Sequence, residues 1–148
     1  MANKSKDPYW VAQAILSRRD HSEFEVRTKM KRKSFSVQQI DDALEKLKKL
    51  NLINDNNFAV MFVEYTLKMR AVGPKWLSHK LKQKGIESSV ISSVLDEAYS
   101  FGRENELAKE AATKWRRTHQ KHADDRERLT RYLLARGFSF NTISSIDD

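Results

Sequence analysis

The stretch LKQKGIESSVISSVL, residues 81–95, is nearly rewritten as LLARGFSFNTISSID, residues 133–147. Similarity at a fixed period constrains the fold more than any single motif, because it marks a stack of one repeated supersecondary unit. Laying Gly85 over Gly137 aligns Leu77 with Leu129, Leu81 with Leu133, Ile86 with Phe138, Ile91 with Ile143 and Val94 with Ile146, all at an offset of 52. Moving back by 51 finds Val26, Met30, Ser34, Phe35, Ile40 and Ala43, a third and more diverged copy.

Each copy carries two apolar residues four apart, a small residue, another apolar residue, and then apolar positions at helical spacing. Leu77 and Leu81 share one face of a short helix, Gly85 takes the left-handed conformation that ends it, and Ile86 packs across the turn before a second helix. Ser34 holds the glycine position in the first copy, where a left-handed backbone costs more, so that copy is expected to turn differently. Start signals agree with this register. Ser22 with Glu25 and Ser36 with Gln39 have capping-box spacing, Gly73-Pro74 suits a helix start, and Asp124 and Asp125 offer a cap in the last copy.

A further helical stretch precedes each pair: Tyr9 to Leu16; Asn57 to Met69, with Phe58, Met61, Phe62 and Tyr65 on one side; and Glu104 to Arg117, with Leu107, Ala111 and Trp115. The expected fold is therefore all-α: three tandem three-helix repeats, spanning 1–53 (with an N-terminal extension), 54–102 and 103–148. One such unit is not expected to bury its apolar face alone, so neighbours should stack into an elongated, curved array. The last helix, within NTISSIDD, is short and open to fraying.

Composition narrows the class. In 148 residues there are two prolines, four glycines and no cysteine, which suits long helices, excludes a disulfide framework and fits a reducing cytosol. The start MANKSKDPYW lacks the apolar core of a secretory signal, and no apolar run reaches membrane-spanning length. A soluble, cytoplasmic protein is expected. The net charge of +8 favours acidic partners, nucleic acid first among them.

Four ordered blocks carry a family resemblance: LSRRDHSEFEVRTKM (Leu16 to Met30), LNLINDNNFAVMFVEY (Leu50 to Tyr65), VGPKWLSHKLKQKGI (Val72 to Ile86) and RYLLARGFSF (Arg131 to Phe140). Together they resemble the RecX regulators of the bacterial recombinase RecA, with Ser34 in place of the family's glycine and Val26 where leucine is usual. The resemblance implies three tandem three-helix repeats. It also implies a protein that is not an enzyme and needs no cofactor, but binds within the groove of the RecA filament on single-stranded DNA. There it limits growth or promotes disassembly, so that recombinase, ATPase and LexA-cleavage activities fall. A monomer is expected, since an extended binding surface needs no symmetry.

Charge is uneven along the chain. Residues 1–53 carry 12 bases against 7 acids, residues 54–102 carry 6 against 5, and residues 103–148 carry 10 against 8. The densest cluster, KMKRK at Lys29 to Lys33, follows Arg18, Arg19 and Arg27; because Val26 and Met30 face the core, its cations must ring a helix end. Cations there favour the helix itself, and the same groups suit phosphate or an acidic surface. The candidate filament- or DNA-binding residues are Arg18, Arg19, Lys29, Lys31, Arg32 and Lys33 in the first repeat, Lys75, Trp76, Lys80 and Lys84 in the second, and Arg128, Arg131 and Arg136 in the third.

Among Trp10, Trp76 and Trp115, Trp76 is expected to be the most exposed, although packing between repeats is favoured over base stacking for it. His119 and His122 near Asp124 lack the further ligands of a metal site. His21 is read as part of the approach to a capped helix. No phosphate loop, nucleophile elbow or carboxylate cluster is present, so no catalytic residue is assigned. The alternative class is a sequence-independent basic helical DNA-binding protein, since three-helix units resemble helix-turn-helix modules.

Overall fold

The computed structural model describes residues 6–146, which contain nine α-helices and no strand. The helices are α1 (Pro8–Arg18), α2 (Glu23–Arg32), α3 (Val37–Lys49), α4 (Asp55–Met69), α5 (Pro74–Gln83), α6 (Ser88–Ala98), α7 (Arg103–Thr118), α8 (Arg126–Ala135) and α9 (Phe140–Ser145), with a 3-10 turn at Gln120–His122. The fold is all-α, three successive three-helix units. α9 is short, as expected, and the last two residues, on which fraying was also expected, lie outside the described residues.

Local chemistry sets the helix starts. Ser22 and Ser36 each form a full capping box with Glu25 and Gln39. Asp7, Asn54, Asp125 and Ser139 cap α1, α4, α8 and α9 by accepting backbone N–H bonds, and Pro8 and Pro74 occupy first turns, where a missing donor costs nothing. Of the two aspartates expected to cap α8, Asp125 does so.

The turn after the second helix is the same in all three units. Gly85, Gly137 and Ser34 all have positive φ, at 74°, 88° and 68°. In each, the next residue's N–H reaches back five positions, from Ile86 to the Leu81 carbonyl, Phe138 to Leu133 and Phe35 to Met30. The expectation that Ser34 turns differently is corrected: the hydrogen-bonded turn and the inward-facing Phe35 outweigh the left-handed penalty of about 1–2 kcal/mol.

Each unit centres on a core of its own. Ile15, Met30, Ile40 and Leu47 centre the first, Leu77, Leu81, Ile86 and Ile91 the second, and Trp115, Leu133, Phe138 and Ile143 the third. The third also takes in Ala71, from the loop before α5, with Leu67 and Tyr99 packed against it. In each unit the first helix packs against the third, and Ala71 of the second unit completes the third core.

What joins the units is a recurring contact between the start of one second helix and the turn after the next. At the first joint, the Ser22 hydroxyl donates to the Lys84 carbonyl (2.6 Å), and Phe24 lies on Gly85. At the second, the Gly73 N–H donates to the Arg136 carbonyl (2.8 Å), the Lys75 N–H donates to the Gly137 carbonyl (3.1 Å), and Trp76 lies on Gly137. Phe24 and Trp76 stand 52 apart, as do Gly85 and Gly137.

The first joint is also charged. The Glu23 N–H donates to Asp55 Oδ1 at 2.9 Å, and burial, reinforced by the nearby Glu23 and Glu87 charges, still pushes the Asp55 carboxyl up against that bond. Burial alone would also raise Glu25. Hydrogen bonds from Arg19 and the Ser22 N–H, with the Lys84 charge, outweigh it and hold Glu25 below its ordinary value. Near the second joint, the half-buried Tyr99 hydroxyl donates to the Val72 carbonyl at 2.7 Å, and its pKa is raised by burial.

The reading of α4 is corrected as well. Phe58 is buried and Phe62 half-buried, but Met61 and Tyr65 are exposed, and the inward face is Phe58, Ala59, Val63 and Thr66. Ala59 and Thr66 are small enough to let α4 approach its neighbours closely, so the larger Met61 and Tyr65 turn outward.

Candidate interaction surface

The thirteen candidate residues divide by structural role. Lys84 and Arg136 sit at the two joints, where their carbonyls accept the bonds described above. The Lys84 ammonium lies 5.4 Å from the Phe62 ring centroid, 5.8 Å from that of Phe58 and 3.5 Å from Glu25; the Arg136 guanidinium lies 5.6 Å from the Tyr132 ring. Arg19 forms a 2.9 Å ion pair with Glu25 and donates to the Asp20 carbonyl. These cations hold the fold together.

A second group surrounds Trp76, which is half-buried between units 2 and 3, with Lys80 5.2 Å and Arg70 5.6 Å from its ring centroid. Packing between repeats, the favoured reading, is what the geometry gives. The expectation that Trp76 is the most exposed tryptophan is corrected: Trp10 is 42% exposed and Trp115 is buried. Trp76 is drawn inward because Gly137 leaves room for it. Lys75 is exposed beside it. In the third unit, Arg128 is exposed but pairs with Asp125 at 3.1 Å, while Arg131 is exposed.

In the first unit the candidates converge on a groove. Arg18, Lys29, Arg32 and Lys33 surround a groove of about 510 Å³ whose floor is Val11, Ala14 and Ile15. The floor and Arg18 lie at positions i, i+3, i+4 and i+7 of α1, one helical stripe facing the last turn of α2. Among the described residues, none of Arg18, Arg32 and Lys33 has an acidic partner. Lys29 meets no acid either, its ammonium donating to His21 Nε2 at 2.8 Å.

His21 is itself almost fully buried, and its Nδ1 hydrogen donates to the Arg19 carbonyl at 2.8 Å. Accepting from Lys29 through Nε2 requires that ring to be neutral. Burial lowers its pKa; the bond to the Arg19 carbonyl and the Glu25 charge oppose this, while the Arg19 and Lys29 charges add to it. Lys31 is exposed and does not line the groove. The apolar floor was not singled out from sequence, although Val11, Ala14, Ile15 and Arg18 carry the helical spacing that marks a stripe.

Elsewhere, His119 stacks on Trp115 with centroids 4.8 Å apart, and no group of three metal-ligating side chains occurs among the described residues. No helix among them is long and apolar enough to cross a membrane.

Three three-helix units in series, joined at repeated turns and carrying a cation-rimmed groove, define an all-α helical-repeat protein. Profiles of the first, second and third three-helix domains of RecX match residues 11–47, 54–95 and 103–146 in order. The chain belongs to the RecX family. It is 26% identical to the regulatory protein RecX of Finegoldia magna, covering 97% of this chain and 72% of that one. It is 30% identical to the regulatory protein RecX of Caldanaerobacter subterraneus, covering 87% and 63%. Against a crystal structure of regulatory protein RecX the TM-score is 0.87 at 26% identity, over 99% of this chain and 73% of that one. Against RecX from Lactobacillus salivarius it is 0.86 at 25% identity, over 99% and 96%.

Proposed function

We propose that this protein is a non-catalytic regulator that binds the filament of RecA on single-stranded DNA and opposes its assembly, lowering recombinase, ATPase and co-protease activities. The observation that carries the reading is the agreement of all three units, in order, with a family whose members are named regulatory proteins. The unpaired cations of the first unit support it, because a filament of protein and nucleic acid presents acidic groups along its length. The protein acts as a cytoplasmic monomer without a cofactor, its units following the filament and touching DNA directly or through RecA.

Titrating the protein into the single-stranded-DNA-dependent ATPase reaction of the matching RecA tests this. Inhibition well below one molecule per RecA protomer supports filament regulation. No inhibition, with binding to bare DNA intact at the same salt, favours a sequence-independent DNA-binding protein.

A further inference from the structure

The groove on the first unit is built for something more specific than a polyanion. Its floor is aliphatic and comes from α1, while its walls are cationic and come from the ends of both helices, Arg18 from α1 and Lys29, Arg32 and Lys33 from the end of α2. Cations at helix ends offset the helix dipole. That role explains one charge at each end, not four around an apolar floor. Nor does nucleic acid fit well, since a single strand without sequence readout gains much of its affinity by stacking bases on aromatic rings, and no aromatic residue lines this groove.

We infer that the groove between α1 and α2 is a docking site for an acidic peptide segment that carries a large apolar side chain, the apolar group lying on Val11, Ala14 and Ile15 and its flanking carboxylates meeting Arg18, Arg32 and Lys33. Charge complementarity selects this occupant: the described residues supply none of these three cations with an acidic partner, while cations elsewhere, such as Arg19, Arg27 and Arg128, do have one. The site is distinct from the joints, because no residue lining it takes part in the hydrogen bonds between units. The peptide seats as an amphipathic segment in a groove, with its apolar residue fixing register and its carboxylates fixing orientation. Arginine suits the carboxylates because its planar fork binds them in two places.

The test uses the full chain and a short fluorescein-labelled peptide of Asp and Glu around a central Leu-Phe pair, read by fluorescence anisotropy. Two control peptides replace Leu-Phe by Ser-Ser, or the acids by Lys. Ala14→Glu, an exposed change to a good helix former, fills the floor without touching a core; Arg18→Glu with Arg32→Glu reverses the walls. Saturable binding of the first peptide is expected, weakened about tenfold or more by either variant and by either control peptide. Equal binding of the Ser-Ser peptide, or full binding by Ala14→Glu, overturns the inference. So does single-stranded oligothymidylate that binds here and loses affinity in the double variant but not in Ala14→Glu, because the groove is then a nucleic-acid surface.

Discussion

Trp76 lies across Gly137 so closely that a side-chain carbon on the glycine would stand 2.6 Å from the Trp76 Cβ and nearer still to its backbone nitrogen. Gly137 has φ +88°, so an alanine there suffers both a left-handed backbone and a backbone clash. Gly137→Ala is expected to cost at least about 2 kcal/mol in urea denaturation, with the second joint loosened. Gly102→Ala is the control: φ is +76° but nothing lies within 4 Å, so it should cost only about 1 kcal/mol.

Ser34 adopts the same left-handed turn in the first unit and is exposed. Its substitution should therefore have the opposite sign. Ser34→Gly is expected to raise stability by a few tenths to about 1 kcal/mol, the relief of left-handed strain exceeding the added chain entropy. A lower denaturation midpoint for Ser34→Gly would contradict this account of the turn.

Much of this was legible in the sequence because it is local. Caps, turns and the Leu77–Leu81 kind of spacing depend on residues within one or two helical turns. On α4 the large apolar residues at helical spacing mark one side but not the buried face, because close helix approach puts Ala59 and Thr66 inside and Tyr65 outside. The joints were invisible for another reason. Ser22 and Lys84 are 62 residues apart, and the bond uses a carbonyl, which every residue type possesses. A side-chain alphabet carries no mark of that.

Ser22 serves two partners at once, accepting from the Glu25 N–H at 3.2 Å while donating to the Lys84 carbonyl. Ser22→Ala removes the cap and the inter-unit bond together. A loss of about 2 kcal/mol is expected, more than a typical cap deletion of about 1 kcal/mol, because a half-buried carbonyl is also left unmatched. Amide exchange should quicken around Gly85 as well as in α2; quickening in α2 alone would argue against the second role.

His21 gives the fold a pH dependence of known sign. Its folded pKa lies below the ordinary 6.5, so the neutral ring adds stability above that value. The contribution fades as pH falls below 6.5 and through the folded pKa, because protonation puts a charge on a buried ring and sets it against Arg19 and Lys29. Urea midpoints measured from about pH 7 down to about pH 5 should fall, and His21→Gln should flatten the slope. A wild-type profile no steeper than that of the variant would be inconsistent with a neutral, buried His21.

For the proposed regulatory role, replacing Lys29, Lys31, Arg32 and Lys33 together by alanine should weaken filament binding and flatten its dependence on salt, since fewer counterions are then released. Unchanged inhibition by that variant would remove the cluster from the mechanism. Circular dichroism should show the helices intact, as Val26 and Met30, which hold α2 to the core, are untouched.

The joints bring a different consequence. Because each rests on main-chain groups and an aromatic residue seated on a glycine, with the Ser22 hydroxyl and the Asp55 carboxylate added at the first, the spacing from unit to unit is set by a handful of groups. Outward-facing residues are then free to drift without altering pitch. A lineage of such proteins can rewrite what it recognises while keeping the ruler on which recognition is laid out.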